Sequence, residues 1–210
     1  MDEEKMIGRQ NAPGQEPEKQ KEKLPPDKTF FAYLHDIAYI MAVIMVLFLL
    51  LFRVVIVYGP SMNDTLMSGD YLLLLGSNLY HDPQQGDIIV ALKDSYSTTE
   101  PVVKRVIATE GQTVDINFAS GIVYVDGVAL EEPYIKNLTT NFEGTEFPLT
   151  VTEGHVFVMG DNRQRSMDSR DPTIGLIDER EILGKVIFLL FPGTNKGEVA
   201  ADFSRIGVVS

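Results

Sequence analysis

The run IAYIMAVIMVLFLLLF fills residues 37–52, and after Arg53 the chain continues VVIVYGPSMNDTL (54–66). The change of character along this stretch decides the fold. Its first part is apolar on every face, whereas a helix at the surface of a globular core keeps a polar stripe toward water. Residues 37–58 are 22 residues with one charged side chain, Arg53; about 20 helical residues cross a hydrocarbon core. A cleaved signal peptide would have an apolar region of about 7–15 residues ending in a small-x-small site, but bulky Val, Ile and Tyr follow here. The reading is an uncleaved membrane helix over residues 31–53, with the long Arg53 stem reaching the headgroups.

Upstream, residues 1–29 hold six Lys/Arg against seven Asp/Glu and four of the eleven prolines. No helical or strand period is present, so residues 1–30 are expected to form a disordered tail. Lys19, Lys21, Lys23 and Lys28 lie close before the span, and the next basic residue after Arg53 is Lys93. This bias predicts a cytoplasmic N-terminus and a domain beyond the membrane over residues 54–210. From residue 53 onward, 12 Lys/Arg face 22 Asp/Glu, a net charge of −10. Anionic headgroups would repel such a domain, so the helix must supply the attachment to the bilayer.

Beyond the span the pattern is strand-like. Short runs rich in Val, Ile and Tyr recur at 53–58, 71–75, 87–92, 102–108, 121–125, 155–159 and 185–191, punctuated by Gly-Asp, Asp-Pro, Asp-Gly and Pro-Gly. In IVYVDGVAL (122–130), Asp126-Gly127 sits between two apolar arms, a hairpin signal. The expected fold is mainly β, an antiparallel-sheet domain preceded by one transmembrane helix.

Composition narrows the chemistry. The chain has no cysteine, which excludes thiol nucleophiles, disulfide scaffolds and Cys-ligated zinc or iron–sulfur sites. A pI near 4.6 argues against nucleic acid as a partner. G-x-S-x-G, S-x-x-K and H-E-x-x-H are absent, as is any metal-ligand spacing. His35 starts the span, His81 falls in a turn and His155 lies in a strand-like run, so a hydrolase here would work without histidine, metal or cofactor. Ser61 supplies one hydroxyl, in a turn prepared by Gly59 and Pro60. Lys104 lies among Val102, Val103, Val106 and Ile107, an apolar setting that disfavours an ammonium and lowers its pKa. A neutral amine can take the proton of a serine hydroxyl, and serine–lysine pairs are a variant of the hydrolase triad. Spacing alone leaves the plain alternatives open: a turn serine, and a lysine on a solvent face. A third segment, GDNRQRSMDSR (160–170), concentrates charged and hydroxyl groups as a solvated loop could, or as a rigid loop tied by internal bonds.

Together these motifs resemble the bacterial type I signal peptidases, membrane-bound serine proteases that remove signal peptides from exported proteins. The resemblance spans about residues 31–192, in order: a membrane span, GPSMNDTL, GDIIV (86–90), KRVIATEG (104–111) and GDNRQRSMDSR. It implies Ser61 as nucleophile, Lys104 as general base and Ser166 as the hydroxyl that orients the lysine amine. Asp168 and Arg170 would form an ion pair holding the loop against the catalytic strand, and Gly160, Asp161 and Arg163 would be structural. The Ser61 N–H would contribute to the oxyanion hole; relatives often place a second donor at the position of Gly59, which here offers only backbone. Val55, Val57 and Val103 would line shallow pockets for small substrate residues, and Leu66 and Met67 would rest on the bilayer. Residues 112–153 match a variable β-insertion. The implied partners are signal peptides, the lipid bilayer and the protein-export machinery.

The family's serine motif usually reads Ser-Met-x-Pro-Thr, and here Asp64 replaces proline. An aspartate can stiffen a turn through its own side chain, but a carboxylate beside Lys104 would hold the amine protonated. Asp64 is therefore expected to point away from it. Three alternatives stay open at this level: a self-cleaving Ser-Lys protease, disfavoured because the chain lacks a DNA-binding module; a relative serving a narrow client such as a pilin; and a silent anchored module that binds exported peptides.

Overall fold

The computed structural model describes residues 26–93, 101–194 and 201–209. The expected tail lies outside the described residues as far as residue 25, and its last residues, 26–30, are helical and not disordered, because the helix of the span extends back through them. The chain divides into two units, the second of which, Ile44–Ser210, contains every described strand.

Helix α1 runs Pro26–Leu51. Its segment Thr29–Leu51, 23 residues, is long and apolar enough to cross a membrane, and none of its most apolar window is buried within the protein. Leu51 ends the helix two residues earlier than the sequence suggests. Phe52 and Arg53 instead open strand β1 (Phe52–Ile56), which pairs antiparallel with β2 (Tyr71–Gly76) from Phe52↔Leu75 to Ile56↔Tyr71. Ladder bonds with β2 take over there from the helical bonds.

The remaining main-sheet strands are β3 (Ile88–Ala91), β4 (Val102–Thr109), β9 (His155–Met159), β10 (Ile177–Asp178), β11 (Ile182–Phe191) and β12 (Gly207–Val208). The order is β1-β2-β11-β3-β4-β9-β10, with β12 paired to β11, and every pairing is antiparallel. A second sheet, β7-β6-β5-β8, forms from β5 (Thr113–Asn117), β6 (Ile122–Val125), β7 (Val128–Ala129) and β8 (Leu149–Thr150). The hairpin expected at Asp126-Gly127 joins β6 to β7: Val125 pairs with Val128, and the two turn residues take φ of 51° and 77°, as a two-residue primed turn requires.

Strand β4 positions the chemistry. It contributes Val103 to one core cluster, Val106 to a second and Ile107 with Ala108 to a third. A strand buried on both faces has no solvent side, so the solvent-face alternative for Lys104 does not hold: the residue is 5% exposed. The first cluster also fixes the segment after β1, where Met62 and Leu66 plug into it beside Leu72 and Leu74. Leu66 is fully buried and cannot rest on a bilayer as expected; its apolar side chain closes the protein's own core.

Candidate active site

Ser61 follows Gly59 and Pro60 in a turn closed by the Asn63 N–H donating to the Pro60 carbonyl at 3.1 Å. Gly59 has φ of 87°, a left-handed conformation that side-chain-bearing residues rarely adopt. The turn carries Ser61 to the Lys104 amine, with Nζ and Oγ 2.9 Å apart. Burial lowers the Lys104 pKa from its ordinary value to about 8. The Asp168, Glu143 and Asp161 carboxylates push it back up, and the Arg170 guanidinium pushes it down. Desolvation is the largest of these influences, and among the described residues no carboxylate forms an ion pair with the amine.

Most of the GDNRQRSMDSR loop is buried, with Gln164, Arg165 and Met167 exposed; Asp161, Arg163, Asp168 and Arg170 are fully enclosed. Asp168 accepts from Arg170 Nε at 2.8 Å, from Arg170 NH2 at 2.9 Å and from the Gly160 N–H at 2.9 Å. Burial alone would raise its pKa, but these donors hold the carboxyl below its usual range. Asp161 accepts from Arg105 Nε and NH2 at 2.9 and 2.8 Å and from the Thr65 hydroxyl at 2.6 Å. This carboxylate thus joins β4 to the serine segment across 56 and 96 residues of sequence.

Two small residues complete the fit. A Cβ on Gly160 would stand 2.3 Å from the Ser166 Oγ and 2.5 Å from the Ser61 carbonyl oxygen, so only glycine lets the loop press against the Ser61 turn. Ser166 is buried beside it. Its Oγ reaches no partner at hydrogen-bonding geometry. The bond expected from Ser166 to the lysine amine is not formed in this structure.

A cleft of about 280 Å³ opens over the pair, lined among others by Tyr58, Gly59, Val102, Val103, Arg165 and Met167. Of the valines expected to line substrate pockets, Val103 is at the cleft. Val57 is 2% exposed within the core and Val55 packs partly buried against it; neither lines the cleft. Asp64 points away from Lys104 and pairs at the surface with Lys136, 2.7 Å away. His155 stands at the start of β9, its Nδ1 2.8 Å from the Glu153 carbonyl.

Several residues that hold the site were not singled out from sequence. Asn162 donates its N–H to the Ser61 carbonyl at 2.9 Å and its side-chain amide to the Pro60 carbonyl at 3.1 Å. Its place inside the GDNR motif was the available signal. Glu132 and Thr139 bind the Arg163 guanidinium, and Glu143 reaches Arg170 at 3.4 Å. The 112–153 segment thereby grips the GDNRQRSMDSR loop. Burial raises the Glu143 pKa to about 7 against the pull of Arg170. Asp70, fully buried, accepts from the Met67 and Gly193 N–H groups at 2.7 and 2.6 Å and from both Arg205 guanidinium nitrogens. The C-terminal segment is tied by that contact to the base of the serine segment, and nothing in the spacing of these residues announces it.

The family described as "Signal peptidase, peptidase S26" matches residues 30–191. A protein named "Probable signal peptidase I-1" from Synechocystis sp. is 39% identical over 68% of this chain and 73% of its own. Signal peptidase I of Bacillus amyloliquefaciens is 33% identical over 85% of this chain and 94% of its own. A crystal structure of a signal peptidase I from Enterococcus faecalis covers 50% of this chain and 96% of its own, at 34% identity and a TM-score of 0.41. With residues 30–191, which hold nearly all of the span, the second sheet, the main sheet from β1 through β11 and the GDNRQRSMDSR loop, inside one match, this chain belongs to the signal peptidase family, peptidase S26, and is a serine peptidase of the signal peptidase I type.

Proposed function

We propose that the enzyme hydrolyses one peptide bond in exported preproteins, after a small-x-small site, with Ser61 as nucleophile and Lys104 as general base. The observation that carries this reading is the 2.9 Å approach of the lysine amine to the serine hydroxyl in a desolvated niche. As the neutral amine, Lys104 accepts the Ser61 proton while Oγ bonds to the scissile carbonyl carbon and the carbonyl electrons move to oxygen. Backbone N–H groups near Ser61, at the close of the Gly59-Pro60 turn, meet that oxyanion. The resulting ammonium gives its proton to the leaving amine as the C–N bond breaks. Lys104, neutral again, then deprotonates a water that attacks the acyl-enzyme and frees Ser61. No cofactor enters the sequence.

The shallow cleft at Val103 favours a small side chain beside the scissile bond, because a larger one meets the buried wall. An extended substrate would add main-chain hydrogen bonds along β1, an edge strand of the sheet. Asp168 and Arg170 hold the loop that backs the base, with Ser166 supporting it by packing against Gly160 and not by a bond to the amine; Gly59 frees the turn. Helix α1 anchors the enzyme in the bilayer with a cytoplasmic N-terminus, which puts the peptidase domain on the outer face, at the membrane-embedded preprotein and the export machinery. Confinement to one surface raises the effective concentration of enzyme and substrate.

The test is incubation of the detergent-solubilised full chain with a preprotein, beside Ser61→Ala. Cleavage in trans by the parent and loss of about three or more orders of magnitude in Ser61→Ala is expected. Equal turnover by both would remove Ser61 from the chemistry, and binding without cleavage by either would favour a silent module.

A further inference from the structure

Arg165 has no part in the chemistry described so far. Its neighbours in the loop are engaged: Asn162 holds the Ser61 turn, Ser166 is buried, and Arg163 and Arg170 are fully enclosed in ion pairs. Arg165 is exposed and lines the cleft. Among the described residues its guanidinium has no hydrogen bond or ion pair. Its backbone is fixed, since its own N–H donates to the Asn162 carbonyl at 2.9 Å. A solvated cation is thus held at the mouth of the cleft on a rigid support.

The electrostatic setting gives this cation a use. The cleft's described lining contains no carboxylate, and its other basic group, Lys104, is buried against Ser61. The residues beyond the span carry a net charge of −10, a field that opposes the approach of an acidic peptide. Arg165 reverses that sign locally, within reach of whatever peptide occupies the cleft. A guanidinium recognises a carboxylate with two parallel N–H donors, and the loop's rigidity reduces the entropy lost in the contact.

We infer that Arg165 is a specificity-determining residue that selects preproteins with an Asp or Glu side chain close to the scissile bond. This rests on the reading of the cleft as the cleavage site. The preference is expressed mainly in KM, because the contact forms away from the reacting atoms and is present in the ground state.

The experiment compares synthetic preprotein-derived peptides, identical except for Asp, Asn or Lys placed in turn at positions flanking the cleavage site. The full chain in detergent is assayed with the parent, Arg165→Gln and Arg165→Glu. The readout is the ratio of kcat/KM for the Asp over the Lys peptide within each protein, which cancels any general loss of activity. The parent ratio at the responsive position is expected at about five- to tenfold, the scale of one exposed ion pair formed against one like-charge clash. It should fall toward one in Arg165→Gln, invert in Arg165→Glu and shrink with added salt. Parent cleavage with no charge preference, or with a preference unmoved by both variants, would overturn the inference and leave the cleavage reading standing. A parent that cleaves none of the peptides would overturn both.

Discussion

Charge is buried in two opposite ways within one site. In the GDNRQRSMDSR loop every enclosed charge meets its opposite: Asp168 with Arg170, Asp161 with Arg105, Arg163 with Glu132. On β4, Lys104 is enclosed nearly as thoroughly, and among the described residues the hydrogen-bond partner of its amine is a neutral hydroxyl. Paired burial fixes geometry, since each partner would be left as an uncompensated charge if the other moved. Unpaired burial instead shifts a proton equilibrium. The loop is the frame and, in the proposed mechanism, the lone amine is the reagent. Lys104 and Arg105 adjoin on one strand, so the difference comes from their partners and not from depth.

The comparison is broken most severely by deleting one member of a pair. Asp161→Ala leaves Arg105 enclosed with no carboxylate and removes the acceptor of Thr65. A loss of about 3–5 kcal/mol of stability is expected. The chain has no tryptophan, so denaturant unfolding would be followed by tyrosine near-UV circular dichroism. A loss below about 1 kcal/mol would mean the pair is not a structural tie.

The same reasoning demands the opposite sign at Lys104. A lysine whose pKa falls from its ordinary 10.5 to about 8 on folding binds fewer protons folded than unfolded between those values. Its ammonium therefore destabilises the fold below pH 8, and the penalty fades as pH rises toward 10.5. Lys104→Met should abolish cleavage yet raise stability at pH 7 by about 3 kcal/mol, with the gain vanishing above about pH 10. Equal or lower stability at pH 7 would show that the amine is satisfied in place.

The smallest effect sharpens the boundary between frame and reagent. Glu143 faces Arg170, with Asp168, Asp171 and Lys104 the other charged groups acting on it. Ionised, it pushes the Lys104 pKa up. Glu143→Gln should move the alkaline rise of activity to lower pH by less than about one unit. No displacement, or one toward higher pH, would confine Glu143 to a structural role.

Sequence carried the reagent further than the frame. The apolar flanks of Lys104 announce its desolvation, and the Gly59-Pro60 step announces the turn. The seven expected strand runs all contain strands, because alternation and turn residues are local signals. Other features escaped for physical reasons. Leu66 looks like a membrane contact when read beside the span, and only the fold shows the core it fills. Glu132 and Glu143 are not singled out by the sequence, since their arginine partners lie 31 and 27 positions away. The missing Ser166-to-lysine bond depends on side-chain orientation, about which spacing is silent.

The central claim concerns one proton, and it is tested most directly by following the Lys104 side chain itself. Carbon-13 NMR of the full chain, with the resonance assigned by its loss in Lys104→Met, would be recorded across pH 6–11 beside the pH profile of preprotein cleavage. The account predicts a titration near pH 8 that coincides with the rise in activity. A Lys104 resonance titrating near the ordinary lysine value, while cleavage proceeds fully at pH 7, would contradict it.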